Sequence, residues 1–109
     1  MNGKINCGHS DITLDPKLIK IITEIEKELN IELTATSGVR CQRCNFEAKG
    51  KPNSAHLTGK AVDILVTNSS YRFYLVKKIF EKGITRLSDR YTNIVHIDLD
   101  FTKPQGVMW

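Results

Sequence analysis

Two segments of the sequence, residues 60–66 and 93–99, alternate aliphatic and polar side chains as half-buried strands do. Side chains along a strand point to opposite faces in turn, so each segment can bury one face and expose the other to solvent. The wet face of the first segment carries Asp63, and that of the second carries His96 and Asp98. These segments predict a sheet with one face packed on a core and a polar floor on the other.

A second histidine, His56, lies shortly before Asp63 in a loop predicted for residues 49–59. If the two strands are neighbours, Asp63 and His96 converge, and His56 can fold back over the same floor. Two imidazoles and one carboxylate can fill three corners of a zinc tetrahedron and leave the fourth for water or substrate. One such residue alone is more often a hydrogen-bonded side chain, so it is the set of three that predicts a metal site.

The rest of the chain predicts helices that flank this sheet. Asp15 followed by Pro16 is a standard helix start, and apolar residues then recur at helical spacing as far as Leu29. The other predicted elements are a strand over 31–36, a short helix within 40–49, a helix over 69–82, and a hairpin of 84–87 with 93–99. The expected fold is α+β, with a small antiparallel sheet and flanking helices, in one domain over residues 1–109.

The composition narrows the possible function classes. Of the 109 residues, 40% are hydrophobic and 26% are charged, which is typical of a globular protein. No apolar run approaches the roughly 20 residues of a membrane span, and the N-terminus lacks the apolar stretch of a secretory signal. The net charge of +4 is spread along the chain. It indicates a solvated surface first, and a bias toward an anionic polymer such as a cell wall or nucleic acid second.

Three blocks of the sequence resemble, in order, the M15-like zinc D-Ala-D-Ala carboxypeptidases and hedgehog-type peptidases. The blocks are Thr36-Ser37-Gly38-Val39-Arg40, then Asn53-Ser54-Ala55-His56 with Gly59, Ala61 and Asp63, and finally Val95-His96-Ile97-Asp98. The closing Gly106-Val107-Met108-Trp109 resembles the single-domain branch with a C-terminal Trp. The resemblance implies a hedgehog/DD-peptidase-like fold, zinc as the cofactor, and His56, Asp63 and His96 as its ligands.

The resemblance also implies a zinc metallopeptidase, a carboxypeptidase or endopeptidase that hydrolyses peptidoglycan stem peptides or cross-links. Arg40 matches an arginine that holds substrate or developing negative charge; its alternative role is to cap the next helix. Ser54 is expected to order its loop or donate to substrate, and Trp109 to line the cleft or close the core. We expect a monomer. Its expected site of action is the cell wall or periplasm, or the cell wall after endolysin-like release; the sequence does not determine the export route.

The general base is where the sequence departs from the family. Several branches carry Glu or Asp three residues before the last zinc-binding His, or a second His two residues before it. Here Asn93 and Ile94 hold those positions, and neither can accept a proton. Asp98 remains, either as the base or as a partner that orients His96, with Asp100 as second choice. The alternative function is a catalytically inactive, zinc-stabilised binding module on the same fold.

The three cysteines form a separate group. Cys41 and Cys44 make a CxxC pair, and Cys7 with His9 supplies two more potential ligands. Free thiols, a disulfide from Cys7 to one of the pair, and a structural zinc on all four residues all stay open. A zinc-ribbon module that binds nucleic acid is disfavoured, because there is one CxxC only and no aromatic-basic stripe.

Overall fold

A six-stranded sheet organises the computed structural model, which describes residues 1–109. Its strands are β1 (Asn2–Gly3), β2 (Thr34–Ser37), β3 (Ala61–Leu65), β4 (Arg86–Ser88), β5 (Ile94–Asp98) and β6 (Val107–Met108), in the order β1-β2-β3-β5-β4-β6. The four inner strands pair antiparallel, whereas β1 and β6 pair parallel with β2 and β4. The prediction of a small antiparallel sheet is therefore wrong, because the sheet is mixed. Two-residue edge strands are too short to leave an alternating pattern in the sequence.

Three α-helices accompany the sheet, and the predicted α+β class is confirmed. They are α1 (Pro16–Leu29), α2 (Gln42–Glu47) and α3 (Ser69–Glu81). The predicted start of α1 is confirmed, since the Asp15 carboxylate accepts a hydrogen bond from the Lys17 amide at 2.8 Å and Pro16 follows the cap. The predicted loop over 49–59 contains a short 3-10 helix, Ala55–Thr58, which carries His56.

The hydrophobic core joins one face of the sheet to α1 and α3. It is built from buried aliphatic side chains, among them Leu18, Ile22 and Ile25 of α1, Leu75 and Ile79 of α3, and Val62, Ile64, Leu87, Val95 and Ile97 of the sheet. The alternation predicted for β3 and β5 is confirmed on this face. None of the three α-helices has both the length and the apolar character that crossing a membrane requires.

The pairing of β3 with β5 places the polar residues of the other face. In this antiparallel ladder Asp63 lies opposite His96, and on the far side of β5 His96 lies opposite Ser88 of β4. The two strands are neighbours, which is the condition on which the expected convergence of Asp63 and His96 depends. Asp63 and His96 therefore meet because of backbone register, before any side-chain interaction is considered.

Candidate metal and substrate site

A cavity of about 660 Å³ opens over the polar face of β3, β4 and β5. Seven of the residues that the sequence singled out line this cavity: Arg40, Ser54, His56, Asp63, His96, Asp98 and Trp109. Its volume is typical of pockets that take small ligands and peptides. Asp100, the second candidate base, does not line it, and its carboxylate accepts hydrogen bonds from Thr102 and Lys103.

Asp63 lies between the two histidines. Its Oδ1 is 3.4 Å from His56 Nε2 and 2.8 Å from His96 Nδ1, and one ligand atom from each of the three residues lies within 4.8 Å of the others. Burial alone would raise the pKa of Asp63, but the hydrogen bonds and charges of His56 and His96 outweigh it and hold the pKa well below its usual range. Asp63 is therefore an ionised carboxylate at neutral pH.

The backbone fixes the orientation of His56. Ser54 caps the 3-10 helix, and its hydroxyl accepts from the His56 amide at 3.2 Å. Nδ1 of the buried His56 ring lies 2.6 Å from the carbonyl oxygen of Gly38. Because a carbonyl can only accept, Nδ1 must carry the proton. In a neutral ring Nε2 is then the nitrogen that can bind a metal, and it faces Asp63 Oδ1 at 3.4 Å.

His96 is held from its other side by Asp98. The Nε2 atom of His96 lies 2.9 Å from Asp98 Oδ2, while Oδ1 of Asp98 accepts from Arg86 Nε at 2.8 Å and from the Asp100 amide at 3.1 Å. Burial would raise the pKa of Asp98, but His96, the Asp100 amide and Arg86 together lower it below its usual value. Both oxygens of this carboxylate are thus engaged, and one of them fixes the His96 ring with Nδ1 toward Asp63.

Arg40 reaches the same cluster from the loop after β2. Its Nε donates to Ser37 Oγ at 2.9 Å, and its two terminal nitrogens donate to Asn45 Oδ1 at 3.3 Å and to Asp63 Oδ2 at 3.4 Å. Three of the five N–H groups of a guanidinium are therefore used. The remaining two can donate to a bound oxygen atom in the cavity.

Sequence reasoning missed Arg86, which connects several parts of the site. Besides its bond to Asp98, its guanidinium donates to the Pro104 carbonyl at 2.7 Å and lies 4.8 Å from the centre of the Trp109 ring. The Trp109 ring is in turn 5.7 Å from that of His96. A signal existed: strand alternation puts Arg86 on the face opposite the apolar Leu87.

The mouth of the cavity is positively charged. Four further cations line it, which we call the basic rim: Lys49, Lys51, Arg90, and Lys103, the last of which is paired with Asp100. Asp63 and Asp98 are the two carboxylates among the lining residues, and both are already paired. A cavity with this surplus of cations attracts anionic groups.

Comparison with known proteins assigns the chain to a family. The model of the family described as Peptidase M15 matches residues 2–98. The chain belongs to the peptidase M15 family. No curated protein sequence matches it significantly. The matched region contains all three sequence blocks. Because M15 is a family of peptidases, peptides are the substrate class that it implies.

The Arg86–Asp98 pair should support the stability of this site. Changing Arg86→Met leaves the Asp98 carboxylate, whose side chain is 2% exposed, without its guanidinium partner. We expect the free energy of unfolding to fall by about 3–5 kcal/mol, as for other buried ion pairs that lose one member. Chemical denaturation monitored by circular dichroism measures the change.

Arg90→Met is the matched control for this experiment. Arg90 lines the same cavity but is exposed and belongs to no ion pair in the structure. Its substitution should change the free energy of unfolding by no more than about 0.5 kcal/mol. Equal stabilities for the Arg86 and Arg90 variants would contradict the structural importance of the Arg86–Asp98 pair.

Proposed function

We propose that this chain is a monomeric zinc peptidase, a single domain over residues 1–109, that hydrolyses peptide bonds of peptidoglycan stem peptides or cross-links. The observation that carries the proposal is the convergence of His56 Nε2, the Asp63 carboxylate and His96 Nδ1 at the floor of the cavity. Two imidazoles and one carboxylate are a donor set of catalytic zinc sites, in which a fourth position stays open. Membership of a peptidase family supports the same reaction class.

The surroundings of the two histidines fit a zinc ion. A tetrahedral centre with Zn–N distances near 2.0–2.1 Å separates its donors by about 3.3 Å. The distance from Asp63 Oδ1 to His56 Nε2 is 3.4 Å, and that to His96 Nδ1 is 2.8 Å, which has to widen slightly when the ion binds. Each imidazole is held through its other nitrogen, one by the Gly38 carbonyl and one by Asp98. Such outer partners orient the ligands of protein zinc sites. The chemistry that bound zinc supplies is polarisation of a carbonyl group and activation of a water molecule.

Arg40 is proposed to bind substrate or the developing oxyanion. Its guanidinium is anchored by Ser37 and Asn45 on the sides away from Asp63, so its position is set before substrate arrives. One N–H group on each terminal nitrogen is unused, and planar guanidinium donors suit a carboxylate or an oxyanion. Preorganised donors of this kind stabilise negative charge that develops in a transition state.

The walls of the cavity suit an anionic peptide. Trp109, which is 40% exposed, offers an apolar surface beside His96, and the Ser54 hydroxyl keeps its own proton for donation to substrate. The basic rim adds positive charge at the mouth. Peptidoglycan stem peptides carry free carboxylates, so both their peptide bonds and their charge match this cavity.

Asp98 has two proposed roles. It can position His96, or it can act as the general base, because it is the one carboxylate of the cavity besides Asp63. Both of its oxygens already accept hydrogen bonds in the structure, which favours the positioning role. The same observation favours the second candidate function, an inactive zinc-stabilised binding module, because it leaves no uncommitted carboxylate to accept a proton. Experiment can separate these two functions.

Digestion of purified peptidoglycan tests the proposed function directly. The zinc-loaded protein should release peptide or amino acid products whose masses identify the bond that is cut. A double variant, His56→Ala/His96→Ala, should release none and should bind less zinc at this site, because two of its three ligands are gone.

Two other results have clear meanings. Binding to peptidoglycan without any released product would establish the inactive module in place of the peptidase. Equal activity of the wild type and the double variant would rule out His56 and His96 as parts of a catalytic centre.

Arg40→Lys tests the role of the guanidinium. An ammonium retains the charge but cannot reproduce the planar pair of donors. We expect kcat/KM on a stem peptide to fall by roughly 10²–10³-fold, the loss typical of an oxyanion donor, while the zinc content stays unchanged. Lys49→Met on the basic rim is the control and should keep most of the activity. Unchanged turnover by Arg40→Lys would restrict Arg40 to a structural role.

Asp98→Asn distinguishes a base from a positioning residue. If Asp98 takes the proton, kcat should fall by about two to four orders of magnitude with zinc affinity intact. If Asp98 orients His96, zinc affinity should fall by roughly 10- to 100-fold. Zinc titration and kcat measured at saturating zinc separate the two effects. The control is Asp100→Asn, which changes a carboxylate outside the cavity. If Asp98→Asn behaves like the wild type in both assays, both roles are excluded.

A further inference from the structure

We propose that Cys7, His9, Cys41 and Cys44 bind a second metal ion, a structural zinc with three thiolate ligands and one imidazole. None of the four residues lines the cavity described above, so this site is distinct from the candidate catalytic one. One ligand atom from each of the four lies within 4.8 Å of all the others. Four protein ligands would close the coordination shell, which is characteristic of structural rather than catalytic zinc.

The distances in the cluster are close to those of a tetrahedral site. Zn–S bonds of about 2.3 Å place the sulfur atoms of such a site about 3.8 Å apart. His9 Nδ1 lies 3.4 Å from Cys44 Sγ, and the upper limit of 4.8 Å for the other pairs asks for small side-chain adjustments. His9 is exposed and the three cysteines are half-buried, so a metal ion can reach the cluster from solvent.

Backbone amides already point at the sulfur atoms. The Cys41 amide lies 3.4 Å from Cys7 Sγ, and the Cys44 amide lies 3.4 Å from Cys41 Sγ at the start of α2. Amide donors of this kind stabilise the negative charge of a thiolate and orient it toward a metal. A CxxC pair that opens a helix thus presents two sulfur atoms on one side of the turn.

The fold brings the other two ligands to this pair. The segment after β1 runs beside the loop after β2, where the Cys7 amide donates to the Val39 carbonyl at 2.9 Å and Asn6 bridges to Val39. Gly8 has φ +87°, a left-handed conformation that glycine adopts without strain. This glycine turns the chain between Cys7 and His9 so that both side chains reach the same cluster.

A zinc ion accounts for the whole cluster better than a disulfide does. All three thiols are free in the structure, and one disulfide would leave the third cysteine and His9 without a role. None of residues 1–13 is buried, and the N-terminal segment is held mainly by the pairing of β1 with β2 and by backbone hydrogen bonds to Val39. A metal that joins this segment to α2 would stabilise it, since the free energy of metal binding adds to that of folding.

Cobalt substitution tests this site separately from the catalytic one. The protein is purified under reducing conditions, stripped with a chelator and loaded with Co²⁺ alone. We expect thiolate-to-cobalt charge-transfer absorption in the wild type and in His56→Ala/His96→Ala, since the cysteine cluster is intact in both. The cobalt-loaded Cys41→Ser/Cys44→Ser variant should lack this absorption. The same variant loaded with zinc instead should bind about one zinc ion per chain fewer than the wild type.

A second measurement uses only the folded wild type, in case the cysteine variant does not fold. Added Zn²⁺ should protect all three thiols from alkylation, and mass spectrometry counts the modified cysteines. A third measurement compares two single variants: His9→Asn should weaken the zinc-dependent rise in melting temperature, whereas Asp11→Asn, an exposed neighbour outside the cluster, should leave it unchanged. Absence of the charge-transfer band in wild type, or thiols that Zn²⁺ fails to protect, would overturn the proposal. Either result would leave the peptidase proposal untouched, because that depends on His56 and His96.

Discussion

The register between β3 and β5 is the constraint on which the site depends. This ladder sets Asp63 opposite His96, and it also sets Val62 opposite Ile97 on the buried face. A slip of one residue would carry the aliphatic side chains to the wet face and lose the burial that stabilises the sheet. Core packing therefore places the Asp63 carboxylate next to the His96 imidazole. The interaction between these two side chains alone could not specify the register of the strands.

A chain of basic and acidic side chains, with an imidazole at its centre, extends across the floor of the cavity. Arg86, Asp98, His96, Asp63 and Arg40 follow one another, each within hydrogen-bond or ion-pair distance of the next. The charges of the two guanidinium groups balance those of the two carboxylates. A divalent cation at Asp63 would leave the floor positive, and the basic rim adds to that charge. Electrostatics of this kind favours an anionic peptide and the negative charge of a tetrahedral transition state.

Long, regular patterns made much of this structure predictable from the sequence. The periodicity of α1 and the alternation in β3 and β5 each extend over several residues, and they identified the faces that bear the candidate ligands. The edge strands β1 and β6, two residues each, carry no such pattern. The bond between Arg86 and Asp98 also could not be predicted, because it depends on the lateral pairing of β4 with β5. The sequence left two roles open for Asp98, and its engaged oxygens now favour one of them.

One loop connects the cysteine cluster to the cavity. Arg40 and Cys41 are adjacent, and while the Cys41 amide donates to Cys7 Sγ, the Arg40 amide donates to the His56 carbonyl at 3.0 Å. On the neighbouring turn, Gly38 accepts from His56, and a side chain at this glycine would collide with the Ile5 carbonyl at 2.3 Å. The N-terminal segment therefore packs directly against the backbone that orients His56 and Arg40. A metal bound at the cysteines would add to the backbone pairing that holds this segment, and it would support the geometry of the candidate active site without contacting it.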